Sequence, residues 1–212
     1  MQDYIKLPSK RFPNVILRVV PGHFVTPNSH TNYFMDMAGI MFRQKEARAA
    51  AEAMAQFYSS DTIVDSIVCL DDMDIIGAYL ADELTRAGVI SRNAHKTMYI
   101  LKPEHDNAGQ MIFRENIEGW IRGKNVLLLF STVSTGRTIA QAAQSVNYYG
   151  GHVSGISALF SIVAKIDGYP VHTLFDMTDL PDYRSYPYRE CPMCKAQQRV
   201  RAMVNGHGYS KL

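Results

Sequence analysis

Two spacings of apolar residues take turns along this chain. Val15 to Val20 reads as a strand, Pro21-Gly22 as a turn, Pro27-Asn-Ser29 as another turn, and Thr31 to Met37 as a second strand rich in aromatic and β-favouring residues. The period then lengthens. Phe42, Ala49, Ala53 and Phe57 recur at helical spacing within an Ala-, Glu- and Arg-rich run, which predicts a helix over 42–58. Thr62 to Leu70 is apolar enough for a strand, and Ile75 to Arg86 predicts a helix stopped by Gly88. Lys96 to Leu101 predicts a short strand, and the polar stretch 103–109 a mobile loop. Val126 to Phe130 is the most continuous apolar run and predicts a central strand, followed by a helix over 137–148. Strands over 155–163 and 171–175 complete the pattern. Alternating strands and helices predict an α/β fold, a parallel sheet flanked by helices, whose sites lie beyond the strand C-termini.

The 212 residues suit one embellished domain: hood strands at 1–40, an α/β core at 41–176, and a tail at 177–212 that completes the hood or an interface. The tail between 177 and 188 is rich in Asp, Pro and Tyr, a composition frequent at covering surfaces. A net charge of +2 gives no case for nucleic acid. No apolar run approaches the ~20 residues of a membrane span, and the start lacks a basic-then-apolar signal pattern, so a cytoplasmic location is expected.

The richest chemistry follows the central strand. Phe130-Ser131 ends the apolar run, and Thr132-Val133-Ser134-Thr135-Gly136-Arg137-Thr138 opens the next helix. Small hydroxyl residues and one glycine leave backbone amides approachable, and the helix adds its positive dipole end, so the segment is a candidate phosphate cradle. A simply capped helix start is the alternative reading. Arg137 stands in the first helical turn, where a cation is unfavourable without an anionic ligand. Three aspartates, Asp71, Asp72 and Asp74, lie between an earlier strand and its helix; a solvated turn with Asp74 as helix cap is one reading. Cys191-Pro-Met-Cys194 is half of a zinc ligand set, completed only if His172 and His207 fold nearby; two reduced structural cysteines are the alternative.

These segments, in this order, resemble type I phosphoribosyltransferases, and orotate phosphoribosyltransferase in particular. In that family a hydrophobic run is followed by two acidic residues, two apolar residues and Thr-Thr-Gly or Thr-Ala-Gly. Here Phe130-Ser131 occupies the acidic pair and Ser134-Thr135-Gly136 the phosphate-holding part. Thr31-Asn32-Tyr33-Phe34 stands where the family's hood lines the base pocket, Asp71 to Gly77 matches the pyrophosphate loop and helix, and Lys102 to Gly109 matches the catalytic loop.

The resemblance implies transfer of a phosphoribosyl group from phosphoribosyl diphosphate to a nitrogenous base, orotate by similarity. Mg²⁺ would sit on the leaving group, and the protein would be a homodimer. Lys102 and His105 are the implied catalytic residues. Tyr33 and Phe34 form the implied base pocket, and Phe130, Ser131, Asp71, Asp72 and Asp74 the ribose and pyrophosphate region. The departures are chemical. Phe130 cannot accept a hydrogen bond from a ribose hydroxyl and Ser131 accepts weakly. Thr26 stands about where the family often has a base-contacting lysine. A non-catalytic relative that binds a nucleotide or another phosphate ligand therefore stands as the second expectation.

Overall fold

The structure, a computed structural model, describes residues 4–58, 61–86, 92–94, 96–106, 110–134, 136–206 and 208–211. Gly88, Asn107 to Gly109, Thr135 and His207 lie outside the described residues.

The chain begins with β1 (Ile5–Pro8), β2 (Ile16–Val25) and β3 (His30–Asp36), an antiparallel run. Pro21-Gly22, expected as a turn, lies within β2. The register with β3 slips between Pro21 and Phe24, so a bulge takes up the residue that cannot donate to the ladder. The expected turn at 27–29 is the hairpin tip, closed by a Thr26 N–H to Ser29 carbonyl bond of 2.8 Å.

The helix expected over 42–58 is two helices, α1 (Ala38–Phe42) and α2 (Gln44–Ala55). Arg43 separates them in an extended conformation (φ −87°, ψ 119°), and its carbonyl accepts the Ala47 amide to start α2. Next come β4 (Ser66–Cys69), α3 (Asp74–Thr85) and β5 (Tyr99–Leu101). β4 is shorter than its apolar run because the Asn93 side chain, not a neighbouring strand, takes the Val64 amide and the Thr62 carbonyl at 3.0 and 2.8 Å.

The polar stretch after β5 contains one arm of a small hairpin, β6 (Glu104–His105) with β7 (Met111–Ile112), followed by α4 (Glu115–Glu118). The core continues with β8 (Asn125–Val133), α5 (Arg137–Tyr148), β9 (His152–Ser161), β10 (Lys165–Ile166) and β11 (Tyr169–Phe175). The tail supplies β12 (Ser185–Tyr186), α6 (Pro192–Lys195), β13 (Ala202–Asn205) and β14 (Gly208–Lys211).

The core sheet has the order β10-β11-β9-β8-β4-β5. It is parallel except at its edge, where the short β10 runs antiparallel to β11, so the fold is α/β with a mixed sheet. Side chains alternate between its faces. Leu127 and Leu129 of β8 pack with α2 and α3, whereas Val126, Leu128 and Phe130 pack with α5. Gly77 lets α3 lie close on β4, because a Cβ there would collide with Cys69 Sγ. Full burial of each such aliphatic side chain contributes about 1.5–3 kcal/mol.

A second sheet has the order β12-β3-β2-β13-β14, with β1 on β2. It draws strands from both ends of the chain: β13 lies parallel to β2, Ala202 opposite Phe24. This hood stands over the C-terminal end of β8.

Candidate functional site

β8 runs three residues past the expected end at Phe130. Thr132 and Val133 pair with Phe160 and Ser161 of β9, so the cradle proper starts at Ser134. Gly136 then takes a left-handed conformation (φ 76°) and caps α5, and no side chain caps that helix. A Cβ on Gly136 would collide with Cδ1 of Ile166, which folds over it from β10. The first amides of a helix have no intrahelical acceptor, and beside this N-terminus lies a cavity of about 50 Å³. Thr132, Ser134, Gly136 and Thr138 wall it, and Phe130, Val133 and Ile139 give it an apolar floor. Arg137 is exposed on the first turn; Thr135 lies outside the described residues.

The neighbouring strand ends differently. After β4 the chain passes through Asp71 (φ 53°) and Asp72 (φ 59°), two successive left-handed residues without a glycine. That conformation costs most L residues about 1–2 kcal/mol each, and aspartate tolerates it better than most. Their side chains occupy the turn. Asp71 Oδ2 accepts from the Ser131 amide at 3.3 Å and the Ser131 hydroxyl at 3.1 Å. Lys102 pairs with Asp72 and lies 3.6 Å from Asp74. The hydrogen bond to Asp72, then the Asp74 charge, pushes the Lys102 pKa up, so its ammonium is charged at neutral pH. Asp74 is not a cap: the capping position of α3 is Met73, and no side-chain bond closes it.

The structure thus brings Asp71 to Ser131, and Lys102 to Asp72 and Asp74. It places His105 apart, exposed on the β6–β7 hairpin and outside both cavities described here. Asp71, Asp72 and Asp74 do not converge as a set of three ligands; among the described residues one group of three or more metal-capable side chains exists, and it lies elsewhere.

The larger cavity, about 280 Å³, lies between hood and core. Tyr33 and Phe34 both line it although adjacent strand residues point to opposite faces. Phe34 is anchored in the hood interior, its ring 6.1 Å from Phe24 and 5.5 Å from Tyr209. Tyr33 packs against the core. Thr26, which stands about where the family often has a base-contacting lysine, also lines it. Sequence reasoning missed other liners: Pro27 to Ser29 of the hairpin tip, Phe160 and Tyr183 from the core and tail, and Val204 to Gly206 beyond them. The turn signal at Pro27 was legible, but nothing in it announces a cavity wall. Thr132, Val133 and Ser134 line both cavities and so form the wall they share.

Cys191 and Cys194 do not meet His172. That imidazole stacks on Phe57 (4.9 Å between centroids, 17° between planes), and His207 lies outside the described residues. The partners are His23 and His30 of the β2–β3 hairpin, and the four ligand atoms lie within 4.8 Å of one another. This cluster is capable of binding a metal. Sequence reading could not find it, because only the hairpin and the return of the tail bring positions 23, 30, 191 and 194 together.

No protein-family model matches the chain. Orotate phosphoribosyltransferase of Sulfurimonas denitrificans is 24% identical over 196 residues, covering 84% of this chain and 88% of that protein. The structure of Mycobacterium tuberculosis orotate phosphoribosyltransferase in complex with Fe(III) dicitrate superposes with a TM-score of 0.54 at 16% identity, over 76% of this chain and 91% of that one. Adenine phosphoribosyltransferase from Thermoanaerobacter pseudethanolicus gives 0.52 at 16% identity, over 82% and 95%. Among the described residues no helix is long and apolar enough to cross a membrane. The strand order, the hood and these superpositions together establish that the chain has the type I phosphoribosyltransferase fold.

Proposed function

We propose that this chain transfers a phosphoribosyl group from phosphoribosyl diphosphate to a nitrogenous base. The observation that carries the reading is the shared wall: Thr132, Val133 and Ser134 separate a small cavity at a helix N-terminus from a larger one under the hood. A 5-phosphate held at Ser134, Gly136 and Thr138 leaves its ribose beside the larger cavity, where Tyr33, Phe34 and Tyr183 offer surfaces for a flat base. Asp71, drawn to β8 by Ser131, brings a carboxylate close to where the family's acidic pair is missing. Its role is to accept ribose hydroxyls from the neighbouring strand end. Lys102 supplies a fixed positive charge against a departing diphosphate.

The acidic turn fits Mg²⁺ chemically. Carboxylate oxygens are hard ligands, and this ion is ordinarily held by one or two carboxylates together with substrate phosphates. Asp72 and Asp74 would hold it, and when bound it would neutralise charge developing on the leaving diphosphate. The orotate and adenine enzymes that share the fold set the first bases to try, and Thr26 at the cavity rim argues against a site built around a base carboxylate. The test is calorimetric titration with phosphoribosyl diphosphate, with and without Mg²⁺, followed by pyrophosphate release over a panel of bases that includes orotate and adenine. Binding with turnover supports the proposal; failure to bind the diphosphate sugar under either condition overturns it.

A second reading rests on two features. Lys102 already neutralises Asp72 and Asp74, and Phe130 is buried in the core where an acceptor would serve catalysis. A protein so arranged binds a finished nucleotide as a regulator. Tight nucleotide binding with no pyrophosphate release for any base selects it.

A further inference from the structure

We propose that His23, His30, Cys191 and Cys194 form a structural zinc site that clamps the tail to the hood and sets the wall of the larger cavity. Two thiolates and two imidazoles are a donor set that zinc favours in a closed tetrahedral site. Bonds of about 2.3 Å to sulfur and about 2.05 Å to nitrogen place neighbouring S and N ligands about 3.5 Å apart in a tetrahedron. Here His23 Nε2 lies 3.6 Å from both sulfurs, and His30 Nδ1 lies 3.2 Å from Cys194 Sγ. The two ring nitrogens are 2.8 Å apart, and need to open by only about half an ångström. His23, His30 and Cys191 are buried, and Cys194 is exposed, which leaves an entry path for the ion.

The surroundings prepare the ligands. His23 Nδ1 bonds the Gln198 carbonyl at 2.8 Å, which puts the proton on that nitrogen and leaves Nε2 free to bind a metal. The carbonyl is aimed by the end of α6. Gln197 adopts φ 53°, its amide reaches the Cys194 carbonyl, and the Gln198 amide reaches the Met193 carbonyl. That is a Schellman stop, built here on a residue that pays for the left-handed turn. Pro192 starts the helix directly after Cys191, fixing the spacing of the two sulfurs.

All four positions are protein side chains, so no coordination place is left for a substrate, and the role is structural. The two histidines flank the hairpin tip Thr26 to Ser29, which lines the larger cavity. From the other side the tail leaves the cluster and, just before entering β13, its Arg201 amide bonds the His23 carbonyl at 2.8 Å. β13 then leads to Val204, Asn205 and Gly206 on the same cavity. One ion would tie both walls together without touching the cavity's contents.

The test starts with full-length protein purified without added metal. Elemental analysis is expected to find about one zinc per chain, retained in His172→Phe and lost in Cys191→Ser/Cys194→Ser. Because the double variant risks misfolding, the wild type is also stripped with a chelator. The melting temperature should fall and recover with one equivalent of zinc, and Co²⁺ in its place should give the thiolate charge-transfer and tetrahedral d–d bands. Zinc should slow alkylation of Cys194 about tenfold or more. Metal-free wild type whose melting ignores both chelator and zinc overturns the assignment, as does a Cys191–Cys194 disulfide in the purified protein or an octahedral cobalt spectrum. None of these readouts depends on transferase activity.

Discussion

β4 and β8 lie side by side in the core sheet, and each passes through a tight turn into a helix, yet the two turns have opposite characters. After β8 the left-handed residue is Gly136, and an uncharged cavity lies at the helix start. After β4 the left-handed residues are Asp71 and Asp72, and their carboxylates are already engaged by Ser131 and Lys102. The architecture supplies two potential anion sites at two helix N-termini. Side chains leave one open and fill the other with the protein's own ion pairs. An open turn selects a ligand by shape, whereas a filled one admits a ligand only by exchange.

The sharpest way to break this comparison is Gly136→Val. The left-handed backbone and the collision with Ile166 both oppose the change, at a cost of about 1–3 kcal/mol. The expected loss of affinity for ribose 5-phosphate in calorimetry is roughly a hundredfold, about 2.7 kcal/mol. Adding Ile166→Ala relieves the collision alone and should restore stability more than affinity. Wild-type affinity in the single variant would show that the anion does not sit at this turn.

Lys102→Met is next. Affinity for phosphoribosyl diphosphate should fall about tenfold, or 1.4 kcal/mol, while affinity for ribose 5-phosphate stays the same, because only the diphosphate reaches the second turn. Equal losses for both ligands would mean that the turns are not separate subsites. The stability cost of the same substitution is expected within ~1 kcal/mol, as for exposed ion pairs.

Asp71→Asn keeps a side chain that tolerates the left-handed turn and weakens only its acceptor. Denaturant unfolding should shift by less than about 1 kcal/mol, with a several-fold loss for ribose-bearing ligands and none for inorganic phosphate. A loss shared by phosphate would place Asp71 at the wrong turn.

The smallest effect concerns pH. The folded-state pKa of Lys102 is raised above its ordinary value of 10.5. Its pairing therefore stabilises the protein fully below that value and is lost as pH rises through the folded pKa. The melting-temperature difference between wild type and Lys102→Met should be flat from about pH 6 to about pH 9 and shrink only above 10.5. A difference that changes near neutrality would assign the effect to another group.

Long-period features were legible in the sequence. The helix over 137–148 and the buried strand before it follow from apolar spacing alone, and Gly136 marks the turn between them. Short-range exceptions were not. The end of β8 was misplaced because Ser131 and Thr132 look like loop residues, and only pairing with β9 holds Thr132 and Val133 in the sheet. Arg43 breaks a helix that propensity runs straight through. Asp74 looked like a cap, but its carboxylate lies near Lys102, a residue 28 positions away. Asp71 and Ser131 are 60 positions apart, and their meeting depends on which two strands are neighbours. Such pairings are decided by the sheet order, which local spacing does not encode.

The parallel docking of β13 beside β2 has a consequence for how the molecule is made. Residues near 24 and 202 must find each other across most of the chain, a contact that raises contact order and slows assembly. During synthesis the α/β sheet has its strands well before positions 202–206 leave the ribosome. Until those positions emerge, the cavity between hood and core lacks the wall that Val204, Asn205 and Gly206 provide.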